Sequence, residues 1–380
     1  MKHHHHYFHF LLSRKISETK ALYSVIFLKT LAVSLISIFI PVYLYLQGYN
    51  LSQMAIFFLI YSITAFIFVY VAGKSVKRIG IKKSILIANF LHILGYLALA
   101  FIPQANYLFY VAAVILGAFL TLFWVPFHVD MADNLKRKDI AGGVGTMNIV
   151  VSLVAALAPF TGALIASVSF FTLFIISSVL ILISSIPLFF AKGIKERDSF
   201  SIKETLSYVN YKRVTAGIGF GGEHLIAGIF WPLFLYLILN LKGLGLVTTI
   251  MLIASAIFVF FIAKIVKKAG VNRILRPATI VNVIHWPLRL IKSLAIPLHV
   301  IYAFIEDLTK YPYNIKSYMV GKQGKEINAI ALREFLIQIG RAIACIPMIF
   351  FPSFTMAFIC ATIFAGIQFF YSFEKYRNMN

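Results

Sequence analysis

Charge is scarce in this chain, and acid scarcer still. Only 13% of its 380 residues are Asp, Glu, Lys or Arg, and 13 acids stand against 35 bases for a net charge of +22. A soluble domain carries roughly a quarter charged residues. So little charge cannot cover the surface of a soluble globule, and the exterior must face lipid. Cysteine is nearly missing: Cys345 and Cys360 both sit in apolar runs, which excludes a disulfide framework or a thiolate metal site. No phosphate-binding Gly-rich loop, nucleophile elbow or zinc motif occurs, so neither ATP-driven work nor enzymatic chemistry is expected, and no cofactor or metal. The His3 to His6 run and His9 can bind a metal resin but carry no metal-site pattern, and are set aside.

Hydrophobic residues make up 61% of the chain and the mean hydropathy is +0.89. The runs 21–46, 51–72, 84–102 and 170–191 are each close to the roughly 20 residues that cross a bilayer as helix. A membrane barrel would need short strands alternating apolar and polar, whereas these runs are continuously apolar. The chain is therefore read as an all-α membrane protein. Twelve transmembrane helices are expected, over 21–46, 51–74, 82–102, 106–133, 141–166, 170–191, 213–240, 245–266, 273–291, 294–319, 326–350 and 353–374. No small-residue cleavage site precedes the first run, which is read as a retained helix. The division is a segment 1–20, a six-helix bundle 21–191, a linker 192–212, a second bundle 213–374 and a tail 375–380.

Most of the Lys and Arg lie on one side of this plan, at both termini, in the linker and in the loops around Lys77, Lys136, Lys267 and Lys322. By the positive-inside rule that side is the cytoplasm, with both termini there and the protein in the plasma (inner) membrane. Arg289, Lys242 and Lys292 fall on the opposite side. Basic clusters between apolar runs, rather than on one folded face, also argue against nucleic acid as a partner.

An internal repeat follows. Ile38 to Leu46, with Pro41 and Tyr45, reads against Ile229 to Leu237, with Pro232 and Tyr236. Gly73 to Lys83, with Gly80, reads against Ala263 to Arg273, with Gly270. Trp124 and Pro126 read against Lys310 and Pro312. Three ordered matches at nearly constant spacing indicate six duplicated helices. An even number of helices per copy makes the two repeats parallel in the membrane.

The loop after the second helix carries Gly73, Arg78, Gly80, Lys82 and Lys83 in the order of the signature loop of the major facilitator superfamily, with Lys77 where that signature has an acid. With the repeat and the helix count, the chain resembles that family. The resemblance implies a secondary transporter of a small solute working by alternating access, its cavity lined by helices one, four, seven and ten with two, five, eight and eleven beside them. It also implies that the signature loop latches a gate, which Lys77 puts in question.

Ionisable residues deep in the membrane cost at least about 2.5–3.5 kcal/mol each at a helix centre, so they mark candidate sites. Glu223 lies about 15 Å into helix seven, after the Gly-rich run 217–222, and is followed by His224. Glu306, Asp307 and Lys310 lie on helix ten, and Arg333, Glu334, Gln338 and Arg341 on helix eleven. Lys29 is a lone cation in helix one, and Trp231 a candidate cavity wall. Substrate binding or proton coupling is expected among Lys29, Glu223, His224, Glu306, Asp307, Lys310, Arg333 and Glu334, with internal ion pairing as the competing role. His92, His285 and His299 are read as packing residues. The expected partners are a small-molecule substrate, protons and membrane lipid, with the protein a monomer. Mixed charge suits a polar or zwitterionic metabolite and the Phe-rich walls an amphiphilic drug; the residues leave both open. A lipid flippase or scramblase would show the same features and stands as the alternative.

Overall fold

The structure, a computed structural model, describes residues 18–134, 140–156, 158–190, 199–322 and 324–374, with no strand among them. What was expected of 1–17, of 191–198 in the linker, of the loop 135–139 around Lys136 and of the tail 375–380 lies outside the described residues. Helix α1 comprises Glu18–Ile36, a 3-10 turn Ser37–Phe39 and Ile40–Leu46. It is followed by α2, Leu51–Ile79; α3, Ile81–Ala100; and α4, Leu108–Asn134. Helix α5 runs as Ile140–Ala155 and Ala158–Val168, and α6 as Phe170–Ser184 and Ile186–Phe190. A short linker helix, Ile202–Ser207, precedes the run Tyr211–Ala269, which breaks at Asn240 (φ 61, ψ −175) into α7, 211–239, and α8, 241–269. Then come α9, Val271–Leu288; α10, Ala295–Gly321; α11, Glu326–Phe350; and α12, Phe354–Ile367 with a 3-10 extension Gln368–Phe373.

Among the described residues, eight stretches are long and apolar enough by length and composition to cross a membrane. The stretch at 211–259 contains both α7 and most of α8, while α10 and α11 fall short because of their charged residues and α9 because Arg273, Arg276, its asparagines and His285 make it less apolar. Large apolar side chains such as Ile67, Phe90, Leu182 and Phe189 point outward and stay exposed, as a surface against lipid requires.

The helix ends have local causes. Asn50 opens α2 with a capping box: its side chain accepts from the Gln53 amide while Gln53 accepts from the Asn50 amide, each at 2.9 Å. Asn240 takes positive φ and its Oδ1 accepts the Gly243 N–H at 3.1 Å, so the residue that ends α7 also caps α8. Gly80 (φ 85, ψ 161) turns α2 into α3, and its repeat partner Gly270 (φ 88, ψ 144) turns α8 into α9. Only glycine adopts that region without strain. The duplicated glycines therefore close duplicated corners.

Within the first half, α4 packs on α2 and α3, and α1 on α5 and α6; within the second, α7 packs on α11 and α12, and α9 on α10 and α12. The halves meet where α2 lies against α11 and α5 against α8. Glycine decides how closely. A Cβ on Gly221 of α7 would stand 2.0 Å from the Ile337 carbonyl oxygen of α11, and one on Gly340 of α11 would stand 2.1 Å from that of Ile218 in α7. The equivalent pair in the first half is sealed by Gly162 of α5, 1.9 Å from the Leu35 oxygen of α1. Gly245 of α8 seats against Pro159 and Ala163 of α5 across the interface. Small residues allow this backbone contact, from which membrane helices draw much of their association.

Gly340→Ala is expected to cost about 1–3 kcal/mol, the usual range for forcing extra carbon into a packed contact, because the obstructing atom is backbone. Thermal melting of the detergent-purified variant checks this. An unchanged melting temperature would show that α7 and α11 are not held at this distance.

Candidate substrate cavity

A cavity of about 480 Å³ lies between the halves, lined from α1, α2, α3, α4 and α5 on one side and α7, α10 and α11 on the other. Contacts join the halves beyond it at both ends. At the end nearer the linker, His128 Nδ1 of α4 lies 2.7 Å from the Tyr318 hydroxyl of α10, and Lys322 Nζ donates to the Asp133 carbonyl oxygen at 3.0 Å. At the distal end Ser52 donates to the Ile349 carbonyl oxygen at 2.9 Å, and Tyr45 meets its repeat partner Tyr236 edge-on with ring centroids 6.5 Å apart. Matched residues touch where the axis relating the repeats passes between α1 and α7. Trp124 and its repeat partner Lys310 both line the cavity.

Of the residues singled out by sequence, Lys29, His224 and Lys310 line the cavity. Lys29 is 3% exposed; its Nζ donates to Asn89 Oδ1 at 2.5 Å and lies over the rings of Phe123 and Phe119, 3.8 and 4.6 Å from their centroids. Asn89 is itself anchored by donating to Ser185 at 2.8 Å. Lys310 donates to Glu306 Oε1 at 3.1 Å, one helical turn away, and His224 Nε2 approaches the same oxygen at 3.6 Å. Glu306 thus pairs the cavity-lining groups of α7 and α10. Arg341, a turn beyond Gln338 on α11, also lines the cavity and donates to Gln338 Oε1 at 3.3 Å.

The others face elsewhere. Glu223 is 3% exposed and is turned into the second half: it accepts from Asn282 at 2.7 Å and Trp286 at 3.1 Å, both on α9, and from Gln368 at 2.5 Å after α12. The glycines before it account for this, since Gly219 and Gly222 press on Phe364 of α12 while Gly217 and Gly221 press on α11. Asp307 accepts from Ser255 of α8 at 2.8 Å. Arg333 contacts its neighbour Glu334 and donates to Asn314 of α10 at 3.0 Å, joining α11 to α10. Trp231 is buried among Phe234, Phe358 and His299, to which its indole N–H donates at 2.9 Å. Arg289, expected on the side opposite the basic loops, follows α9 and is 0% exposed, because the rings of Trp286, Tyr302 and Trp231 surround its guanidinium carbon at 3.9, 4.2 and 4.3 Å. Trp286 therefore joins Glu223 through its N–H and Arg289 through its ring. Such desolvated cation–ring contacts contribute about 2 kcal/mol each.

At the signature loop, Lys77, Arg78 and Lys83 are exposed and Lys82 reaches the Phe189 carbonyl oxygen at 3.4 Å. Gly73 is covered by the ring of Phe200 in the linker, which also meets Tyr70 edge-on. Further along the linker, Glu204 accepts from Lys325 and from Asn328 of α11, both at 2.7 Å. The linker thereby ties α2 to α11. Sequence reasoning missed this tie, and it missed Tyr61, Phe119 and Asn89 in and beside the cavity; ordinary residues in apolar helices carry no signal of which way they face.

Glu223→Ala is expected to destabilise the protein by about 1–3 kcal/mol for each buried donor left unpaired. Glu223→Gln should cost less, since the amides of Asn282 and Gln368 can rotate to meet it, and should leave transport intact. Melting curves of both variants with transport by the second check this; abolished transport in a well-folded Glu223→Gln protein would return Glu223 to the transport path.

The family model described as Major Facilitator Superfamily matches residues 22–286. No curated protein matches the sequence. Among solved structures, the chain is similar to the E. coli fucose:proton symporter FucP, at 16% identity and TM-score 0.65, covering 93% of this chain and 97% of that one. It is similar to the nucleoside transporter NupG, at 14% identity and TM-score 0.69, with the same coverage of 93% and 97%. It is also similar to the human organic anion transporter MFSD10, at 15% identity and TM-score 0.66, again covering 93% and 97%. At such identities these likenesses bear on the fold, whereas the family model rests on the sequence over more than half its length. This multi-pass α-helical membrane protein belongs to the Major Facilitator Superfamily.

Proposed function

We propose that the protein is a secondary active transporter that carries a small solute across the membrane by alternating access to the cavity between its halves. One observation carries this reading: a cavity with charged residues in its lining is walled by eight helices of the two repeats, with separate contacts joining the halves at either end of it. Breaking His128–Tyr318 and Lys322–Asp133 would open one end, and breaking Tyr45–Tyr236 and Ser52–Ile349 the other. A rocking motion about the matched helices α1 and α7 exchanges one set for the other, as parallel repeats permit. The linker end is taken as cytoplasmic, on the strength of its basic loops, in a monomer of the plasma membrane.

At that end Lys77 leaves the signature loop without its acid, and the linker supplies an acid from another place. Phe200 over Gly73 and Glu204 on Lys325 and Asn328 hold α2 to α11 when that side is shut. Glu306 is the proton-coupling candidate, because it is the carboxylate shared by Lys310 and His224; protonating it would release both.

Spin labels test the motion without knowledge of the substrate. In a background lacking Cys345 and Cys360, the pair Leu46/Leu237 reports on the distal end and Arg78/Lys268 on the linker end; all four residues are exposed. Two distance populations are expected in each pair, one end lengthening under conditions that shorten the other. A single unchanging distance at both ends would end the alternating-access reading, and movement of labelled lipid but no soluble solute in proteoliposomes would make the protein a flippase. Cysteine at exposed Lys203 should resist a membrane-impermeant maleimide added to intact cells; strong labelling there reverses the orientation.

A further inference from the structure

We infer that the cavity binds an organic anion, a carboxylate or phosphate ester on an apolar body, held between Lys29 of the first half and Arg341 of the second. The inference rests on the transport reading and adds the substrate class. The cavity lining includes Lys29, Lys310 and Arg341 but no Asp or Glu among the described residues. Lys310 is already matched by Glu306. Among the described residues, Lys29 and Arg341 are not: Lys29 has one amide oxygen and two ring faces, and Arg341 has one amide oxygen. A cation held in an apolar interior without a counter-charge is costly, and an incoming anion removes that cost.

A second observation points the same way. His92 Nδ1 and His224 Nδ1 are buried with no hydrogen-bond partner among the described residues, and both residues line this cavity, one from each half. The His92 imidazole can donate from Nδ1 to the remaining oxygens of a carboxylate or phosphate, and His224 can do so when its Nε2, facing Glu306, also carries a proton. Arg341 offers the planar fork that such groups accept in pairs. The rest of the wall is mostly apolar, including Phe57, Phe58, Phe119 and Trp124, with hydroxyls on Thr30, Ser34, Ser37, Tyr61 and Tyr96, and suits an apolar or aromatic body. Because Lys29 and Arg341 stand on opposite halves, an anion touching both favours the state in which the halves are drawn together. Binding would thereby promote occlusion.

The test uses the full-length purified protein and thermal shift against a size-matched library: aromatic and alkyl carboxylates, phosphate monoesters, the corresponding amines, and neutral amides and alcohols. Ligands that bind the folded state raise its melting temperature by mass action. Carboxylates or phosphates should stabilise the wild type, and Lys29→Met and Arg341→Met should each weaken that binding at least about tenfold, as loss of a charge-assisted hydrogen bond predicts. Lys203→Met, on the exposed linker, should bind as the wild type does. The carboxylate and phosphate arms separate the two headgroups. Stabilisation by amines or neutral compounds alone, anion binding unchanged in both variants, or no stabilisation by any member overturns the inference. The spin-label distances are measured without ligand, so a protein that alternates but binds no anion keeps the transport reading and loses this one.

Discussion

In lipid a helix gains nothing by hiding apolar surface against another helix, so this fold depends on the two things that still attract: backbone contact at glycine and polar groups turned inward. The reciprocal contact of Gly221 with Ile337 and Gly340 with Ile218 shows the first. It brings α7 and α11 together without intervening side chains and fixes the rotation of α7 about its own axis. From that rotation follow the positions of the residues next in sequence. Glu223 turns to α9 and α12, and His224, one residue on, turns to the cavity.

The inward polar groups then fall into two kinds. Some are satisfied within one half and hold it together: Glu223 with its three donors, Arg333 with Glu334 and Asn314, and Asp307 with Ser255. Arg289 also lies within one half, its charge facing three aromatic rings instead of water, although its guanidinium nitrogens have no hydrogen-bond partner among the described residues. Others reach the space between the halves with spare capacity, above all Lys29 and Arg341. Burial alone does not separate the kinds, since Lys29 is as buried as Glu223. What separates them is whether the protein itself supplies the partner.

Duplication gives the arrangement its function. Each half is closely packed within itself, and the halves also meet extensively along α2–α11 and α5–α8, whereas the contacts that close either end of the cavity are polar or edge-to-face. Matched residues meet there, as Tyr45 and Tyr236 do, and matched glycines, Gly80 and Gly270, form the stiff corners of each bundle. The linker joins the halves in sequence and, through Phe200 and Glu204, also clasps α2 to α11 across the seam.

Membrane residence, the helical class, the repeat and the family were legible in the residues, because each depends on periodicity, run length or local backbone demands that neighbouring residues impose. The range of α11 and the start of α2 followed for the same reason, whereas α2 continues to Ile79, five residues past the expected end at 74. The assignment of Glu223 to the cavity did not survive, although its depth in α7 was read correctly. Depth is a count along one helix, whereas facing depends on rotation, and rotation is set by which glycines find partners on other helices. The burial of Arg289 was not legible for a related cause: Trp231 and Tyr302, distant in sequence, join the neighbouring Trp286 in enclosing it. A lone cation such as Lys29 looks the same in sequence whether it snorkels to the surface or waits in a cavity, and Asn89 of α3 with the rings of Phe119 and Phe123 of α4, which receive its ammonium, decided between them.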